Sequence, residues 1–173
     1  ALRRGGLGEL GISYYGGHYN RYRLEGEEVD DSRWLGIVGV DVQADVGPVS
    51  LRGEAARATI DVPAGMTEVF GDEQWGGHLD AMVTVWRPTL AGYDDATLSV
   101  GLRVEHVDFN VGTFSTTGAD IQDDVTALVP TLAFRPTAGT VFRVNYRRHW
   151  TRDFVGNPTI HLGGWQLGFA SYF

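Results

Sequence analysis

Five arginines and five carboxylates recur at alternate positions in segments whose other positions are apolar: Arg52, Arg103, Arg135, Arg143 and Arg147 against Glu9, Asp41, Glu54, Asp80 and Glu105. Ser13, Gln43, Ser50, His78, Thr84, Ser99, Thr131, Asn145 and His149 fall on the same side. A guanidinium stays charged and grips oxyanions through two parallel N–H bonds. Charges in this number cannot sit in an apolar core; they need water or one another. Two arrangements satisfy that need. In one, Arg52, Glu54, Asp80, Arg103, Glu105, Arg135, Arg143, Asn145, Arg147 and His149 line an aqueous passage, with Arg135, Arg143 and Arg147 as a cationic strip suited to anionic solutes. In the other, these arginines pair with Glu105 or Asp80 across neighbouring segments and fill the interior as an ion-pair network.

Other chemistries find less support. The chain has no cysteine, which removes disulfides, thiolate metal sites and cysteine nucleophiles. Its five histidines, at 18, 78, 106, 149 and 161, show no close metal-ligand spacing. His106 between Glu105 and Asp108, or His149, could be drawn into acid–base catalysis, but no spacing singles either out, and the expectation is a non-enzymatic protein without a cofactor. Glu25, Glu27, Glu28, Asp30 and Asp31 make one segment strongly acidic. Oxygen ligands suit Ca²⁺, yet the fixed spacing of an EF-hand loop is missing, so a solvated loop is expected. No glycine-rich phosphate loop occurs, and a formal charge of −8 disfavours nucleic acid as a partner.

What must position the charged set is a series of strands. Phe142, Val144, Tyr146 and Trp150 alternate with Arg143, Asn145, Arg147 and His149, Arg148 being the exception on the apolar side. Leu98, Val100, Leu102 and Val104 alternate likewise with Ser99, Gly101, Arg103 and Glu105. Period-two alternation of this kind marks strands with one apolar and one polar face. The same test predicts eight strands, over 7–16, 34–45, 49–60, 74–87, 97–110, 124–135, 140–152 and 160–173. The third is the weakest, because Arg57 interrupts its apolar set. In the fifth, Val107 and Phe109 fall out of phase, which predicts a bulge near His106. Short connections at Pro48, 88–96 and 136–139 alternate with long polar ones at 17–33, 61–73 and 111–123, as in an up-and-down meander with one smooth and one shaggy end. The 24 glycines among 173 residues, about twice the usual share of about 7%, suit turns and curved strands. The expected fold is all-β, an antiparallel up-and-down transmembrane β-barrel formed by residues 1–173: either half of a barrel of about sixteen strands or a closed one of eight.

Alternation alone does not say whether the apolar face looks inward, as in a soluble barrel, or outward into lipid. Strands of roughly ten or more residues cross the apolar band of about 25 Å in an outer-membrane barrel when tilted. Aromatics on the apolar face gather at strand ends: Tyr14, Trp34, Trp75, Phe109 and Trp150 towards the shaggy end, Phe134, Phe142 and Phe173 towards the smooth end. Two such girdles match the depths at which aromatic rings meet lipid headgroups. No run approaches the length of a membrane helix. Residues 1–6 lack the layout of a signal peptide, so the expectation is a mature, truncated or partial chain.

The last segment, from Gly163 to Phe173, resembles the terminal strand of bacterial outer-membrane proteins, with Trp165, Leu167, Phe169 and Phe173 matching and Ser171 departing. That resemblance implies an assembly signal read by the barrel-assembly machinery. A longer likeness, carried by 11–15, Gly39-Val40-Asp41, 47–54, 103–110 and Tyr146-Arg147-Arg148, is similar to the carboxyl-terminal half of phosphate-selective porin O/P-type proteins. It implies a sixteen-stranded, trimeric channel in a Gram-negative outer membrane, of which this chain is the carboxyl-terminal part. Its surroundings would be outer-membrane lipid and lipopolysaccharide, its cargo small hydrophilic solutes that could include anions. The anion selectivity of that family depends on pore-lining lysines, and this chain has none. The competing expectation is a closed eight-stranded barrel with a structural or adhesive role.

Overall fold

The structure, a computed structural model, describes residues 8–19, 23–28, 32–63, 65–90 and 92–172. It is all-β, with one four-residue helix among the described residues. The long strands are β1 (Glu9–Tyr19), β4 (Arg33–Val46), β5 (Val49–Ile60), β6 (Glu73–Trp86), β7 (Thr97–Asp108), β8 (Asp124–Thr137), β9 (Thr140–Arg152) and β10 (Ile160–Ser171). A small ladder of β2 (Arg23–Leu24) and β3 (Glu27–Glu28) rises from the acidic first loop, and α1 (Thr67–Phe70) lies between β5 and β6. Each long strand pairs antiparallel with the next, in the order β1-β4-β5-β6-β7-β8-β9-β10. β1 and β10 do not pair, so the eight strands form an open sheet rather than a barrel closed at eight.

The hairpins follow from their turn residues. β4 and β5 are joined by Gly47-Pro48, with Gly47 at φ 61, the positive angle that a two-residue hairpin needs at its first position. β8 and β9 are joined by Ala138-Gly139. At the shaggy end the longer loops hold one another: Asn110 Nδ2 donates to the Glu68 carbonyl at 2.9 Å, and the Ser115 N–H donates to Glu68 Oε1 at 2.7 Å. Gly71 sits at φ 61 against the Phe109 carbonyl, where a Cβ would collide with backbone.

One expected irregularity lies elsewhere. Pairing runs unbroken through His106, which faces Gly77 on β6 and Thr126 on β8. The register shifts fall instead between Thr84 and Trp86 and between Phe134 and Thr137. Val107 keeps the phase of Arg103 and Glu105, because that face of the sheet turns apolar near the loops, where Val107 stands beside Ala56 and Gly76. Phe109 is already past the strand end.

The two faces differ sharply. Buried apolar residues among those described are few and mostly small: Ala96, Ile121, Ala127, Val129 and Ala133. The large apolar side chains lie on the other face and are exposed, among them Ile12, Val40, Leu79, Val100, Leu102, Leu132, Phe142 and Leu167, the last at 82%. On this back face Trp150 and Phe142 stand eight positions apart on β9, about 27 Å along the strand. His106 and Leu98 mark the same two levels on β7, where they pair with Thr126 and Phe134. Aromatic pairs close each level, Phe142 against Phe169 at 5.0 Å and Trp75 against His106 at 4.9 Å between ring centroids. The third strand's odd residue, Arg57, is on this face and is neutralised by Glu73.

Candidate functional site: a charged groove on one face of the sheet

The polar positions of β5 to β10 converge on a groove of about 540 Å³. For six strands to face one space, the sheet must curl towards its polar side, as twisted and glycine-bearing strands do. Arg52, Asp80, Arg103, Glu105, Arg135, Arg143, Asn145 and Arg147 line it together. Glu54 lines an adjoining hollow of about 340 Å³ with His78 and Glu105. His149 lies one pleat beyond Arg147 and accepts a hydrogen bond on Nδ1 from Arg147 Nη1 at 2.8 Å. All ten residues singled out by alternation therefore share one face.

Strand register arranges them in rows. Arg52, Asp80 and Arg103 stand directly opposite one another on β5, β6 and β7, and Glu54, His78 and Glu105 form the next row. Within the first row Arg103 takes Asp80 with both arms, Nε to Oδ1 at 2.7 Å and Nη2 to Oδ2 at 2.6 Å. Between rows, Arg147 reaches from β9 over β8 to Glu105 on β7, with Nε and Nη2 donating to Oε2 at 3.2 and 3.1 Å. The span is open because β8 carries only Ala127 and Val129 beneath it, both buried. Arg103 Nη1 adds a 3.6 Å contact to Glu105, which joins the two pairs into one network.

The remaining cations behave differently. Arg52, Arg135 and Arg143 line the groove, are exposed, and form no ion pair among the described residues. The expected strip of Arg135, Arg143 and Arg147 therefore divides: Arg147 belongs to the Glu105 network, and the other two remain available to solutes. Arg143 has unusual clearance, since its cross-strand neighbours are Ala133 and Gly168. Met82, Thr84, Ser99, Thr131 and Gln166 complete the wall. Gln166 was hidden inside the aromatic terminal motif. Its parity, opposite to that of Trp165 and Leu167, is the signal that identifies it.

The back face carries Trp34, Trp75 and Trp150 near the loops and Phe134 and Phe142 near the short turns, with Tyr14 level with Trp75 on the register. Phe109 lies in the loop after β7. Trp165, Leu167 and Phe169 lie on the outer edge strand, and Phe173 falls outside the described residues. The acidic loop residues Asp30 and Asp31 also fall outside them. No group of three metal-ligating side chains occurs among the described residues.

At the loop rim, the nearly buried Asp124 accepts from Arg152 Nε at 2.7 Å. Its neighbour Asp123 has no such cation. Burial lifts the Asp123 carboxyl above the usual carboxylate range, and the charges of Asp108, Asp153 and Asp124 lift it further. A folded-state pKa raised above the unfolded one means that the ionised form opposes folding at neutral pH. That opposition fades as the pH falls through the folded value and ends below the unfolded one. Asp123→Asn should therefore raise the unfolding midpoint at pH 7 by about 2 °C, and the gain should vanish near pH 3. Thermal unfolding of both forms across that range checks it; an equal gain at both ends would assign the effect to something other than charge.

Compared with protein-family models, with curated proteins and with solved structures, the chain matches none.

Proposed function

We propose that this chain is part of the wall of an outer-membrane porin, through which small hydrophilic solutes, anions included, diffuse passively along a charged lumen. The observation that carries this reading is the inversion of the sheet: its charges face a shared groove and its large apolar side chains face outward. A soluble protein rarely exposes a contiguous apolar patch beyond about 300–600 Å². In a bilayer the same surface is the solvated one, and lumen charges meet water. The spacing of the two aromatic levels, about 27 Å along a strand, becomes about 20 Å at a tilt near 40°, close to the apolar band of an outer-membrane barrel. The unpaired edges of β1 and β10 support a larger barrel, in which further strands join both, since an open edge has no place in hydrocarbon. The likeness of the terminal strand to outer-membrane proteins points the same way.

The test is electrical. Full-length protein carrying this chain, added to a planar bilayer, should give stepwise ohmic conductance. A bilayer into which the protein inserts, but which stays silent, would reject the channel.

A further inference from the structure

Arg148 is the cation that alternation places on the wrong face. Its neighbours in the chain, Arg147 and His149, belong to the groove side, so Arg148 points to the back face, opposite Leu128 on β8 and Gly163 on β10. The other guanidiniums on that face of the long strands are neutralised, Arg57 by Glu73 and Arg152 by Asp124. Arg148 is exposed and meets no carboxylate among the described residues. Its guanidinium lies instead over the Trp150 ring, 5.6 Å from the centroid.

Its level and surroundings suggest what it is for. Arg148 stands one pleat inside the Trp150 level, about 7 Å along the strand, and its contact with Trp150 shows the side chain running back towards the aromatic rim. A cation rooted in an apolar surface reaches the polar boundary this way. Beside it the Tyr146 hydroxyl lies across Gly163, in the space that a Cβ would take. Tyr146 is in turn held by Trp165, ring centroids 5.0 Å apart, and His161 stands opposite Trp150. The result is a polar notch in an otherwise apolar surface: a forked donor, a hydroxyl and an imidazole beside one aromatic girdle, with apolar wall below them.

We infer that this notch binds the phosphate of an anionic lipid in the loop-side leaflet, with Arg148 as the charged fork and Tyr146 and His161 beside it. A guanidinium pairs with phosphate through two N–H bonds, and the adjoining apolar wall accommodates acyl chains. This rests on the porin reading, because it needs the back face to meet lipid.

The experiment separates the two. Full-length protein is refolded into phosphatidylcholine vesicles with and without a bisphosphorylated glycolipid, floated on a density gradient, then extracted gently and weighed by native mass spectrometry. Wild type should float with both vesicle types and retain the glycolipid, and Arg148→Gln should float equally well but retain about tenfold less. Arg148→Lys should retain an intermediate amount, and Arg57→Gln, whose cation is already paired, should match wild type. Equal retention by Arg148→Gln overturns the site while leaving the membrane reading intact. Failure of wild type to float with neutral vesicles overturns both. Release of the glycolipid by millimolar inorganic phosphate would make the notch a free-anion site and overturn the lipid assignment. Loss of an oligomer in Arg148→Gln with retention unchanged would make it a subunit contact.

Discussion

On the porin reading, Arg143→Glu should shift the anion-to-cation permeability ratio towards cations by about thirtyfold at 0.1 M salt. A unit charge 5 Å from a passing ion contributes about 0.8 kcal/mol in water, and reversing its sign doubles the difference. Screening over about 10 Å leaves about 1 kcal/mol of that for each ion; anion and cation shift in opposite senses, so their ratio moves by about 2 kcal/mol, about thirtyfold. Arg143 gives the cleanest single-site effect because it lines the groove between small neighbours and forms no close ion pair among the described residues, the nearby Asp80 being held by Arg103. At 1 M salt, where screening acts over about 3 Å, the shift should largely disappear. Arg147→Gln reports something else, because it frees Glu105 from its two hydrogen bonds. Its selectivity should also move towards cations, and Glu105→Gln in the same chain should restore it. The measurement is the reversal potential in a salt gradient; an unchanged value in Arg143→Glu would remove the groove from the ion path.

That division between available and engaged arginines shows where sequence reading stops. Alternation placed all ten candidate residues on one face, because strand side chains have a period of two and the register of consecutive hairpins is set by their turns. The strand ranges follow for the same reason, Val49–Ile60 and Thr140–Arg152 beginning just after Pro48 and Gly139 break the pattern. Partner choice is another matter. Asp80 stands opposite both Arg52 and Arg103 and, of these two, hydrogen-bonds Arg103. Arg147 skips its adjacent strand for Glu105 because Ala127 and Val129 leave the path open, a property of three strands that none of them carries alone. The phase of Val107 misled for a related reason. Apolar character alone does not identify a face here, because the groove face itself turns apolar near the loops. The unpaired outer edges of β1 and β10 belong to no local pattern either, since pairing between chain-distant strands depends on the curvature of the whole sheet.

Leu132→Arg and Thr131→Arg, adjacent in sequence and opposite in face, should separate the membrane reading from a soluble one. Leu132 lies on the back face between Val100 and Val144, one pleat inside the aromatic level at Leu98 and three from that at His106, and is 44% exposed. Thr131 lies in the groove, opposite Gly101 and Asn145. If the back face meets hydrocarbon, an arginine at that depth costs about 1–2 kcal/mol, between the midplane and interface values, and one facing the lumen costs less. Refolding into neutral vesicles should then lower the folding equilibrium constant of Leu132→Arg by about 5- to 30-fold, the same energy at about 1.4 kcal/mol per tenfold. Thr131→Arg should fold like wild type. For a protein living in water with this sheet the order inverts: a charge at exposed Leu132 improves solubility, and one at Thr131 crowds Arg103 and Arg143 in a groove already rich in cations. Equal tolerance of both substitutions would reject the outward apolar face, whatever the conductance of the wild type.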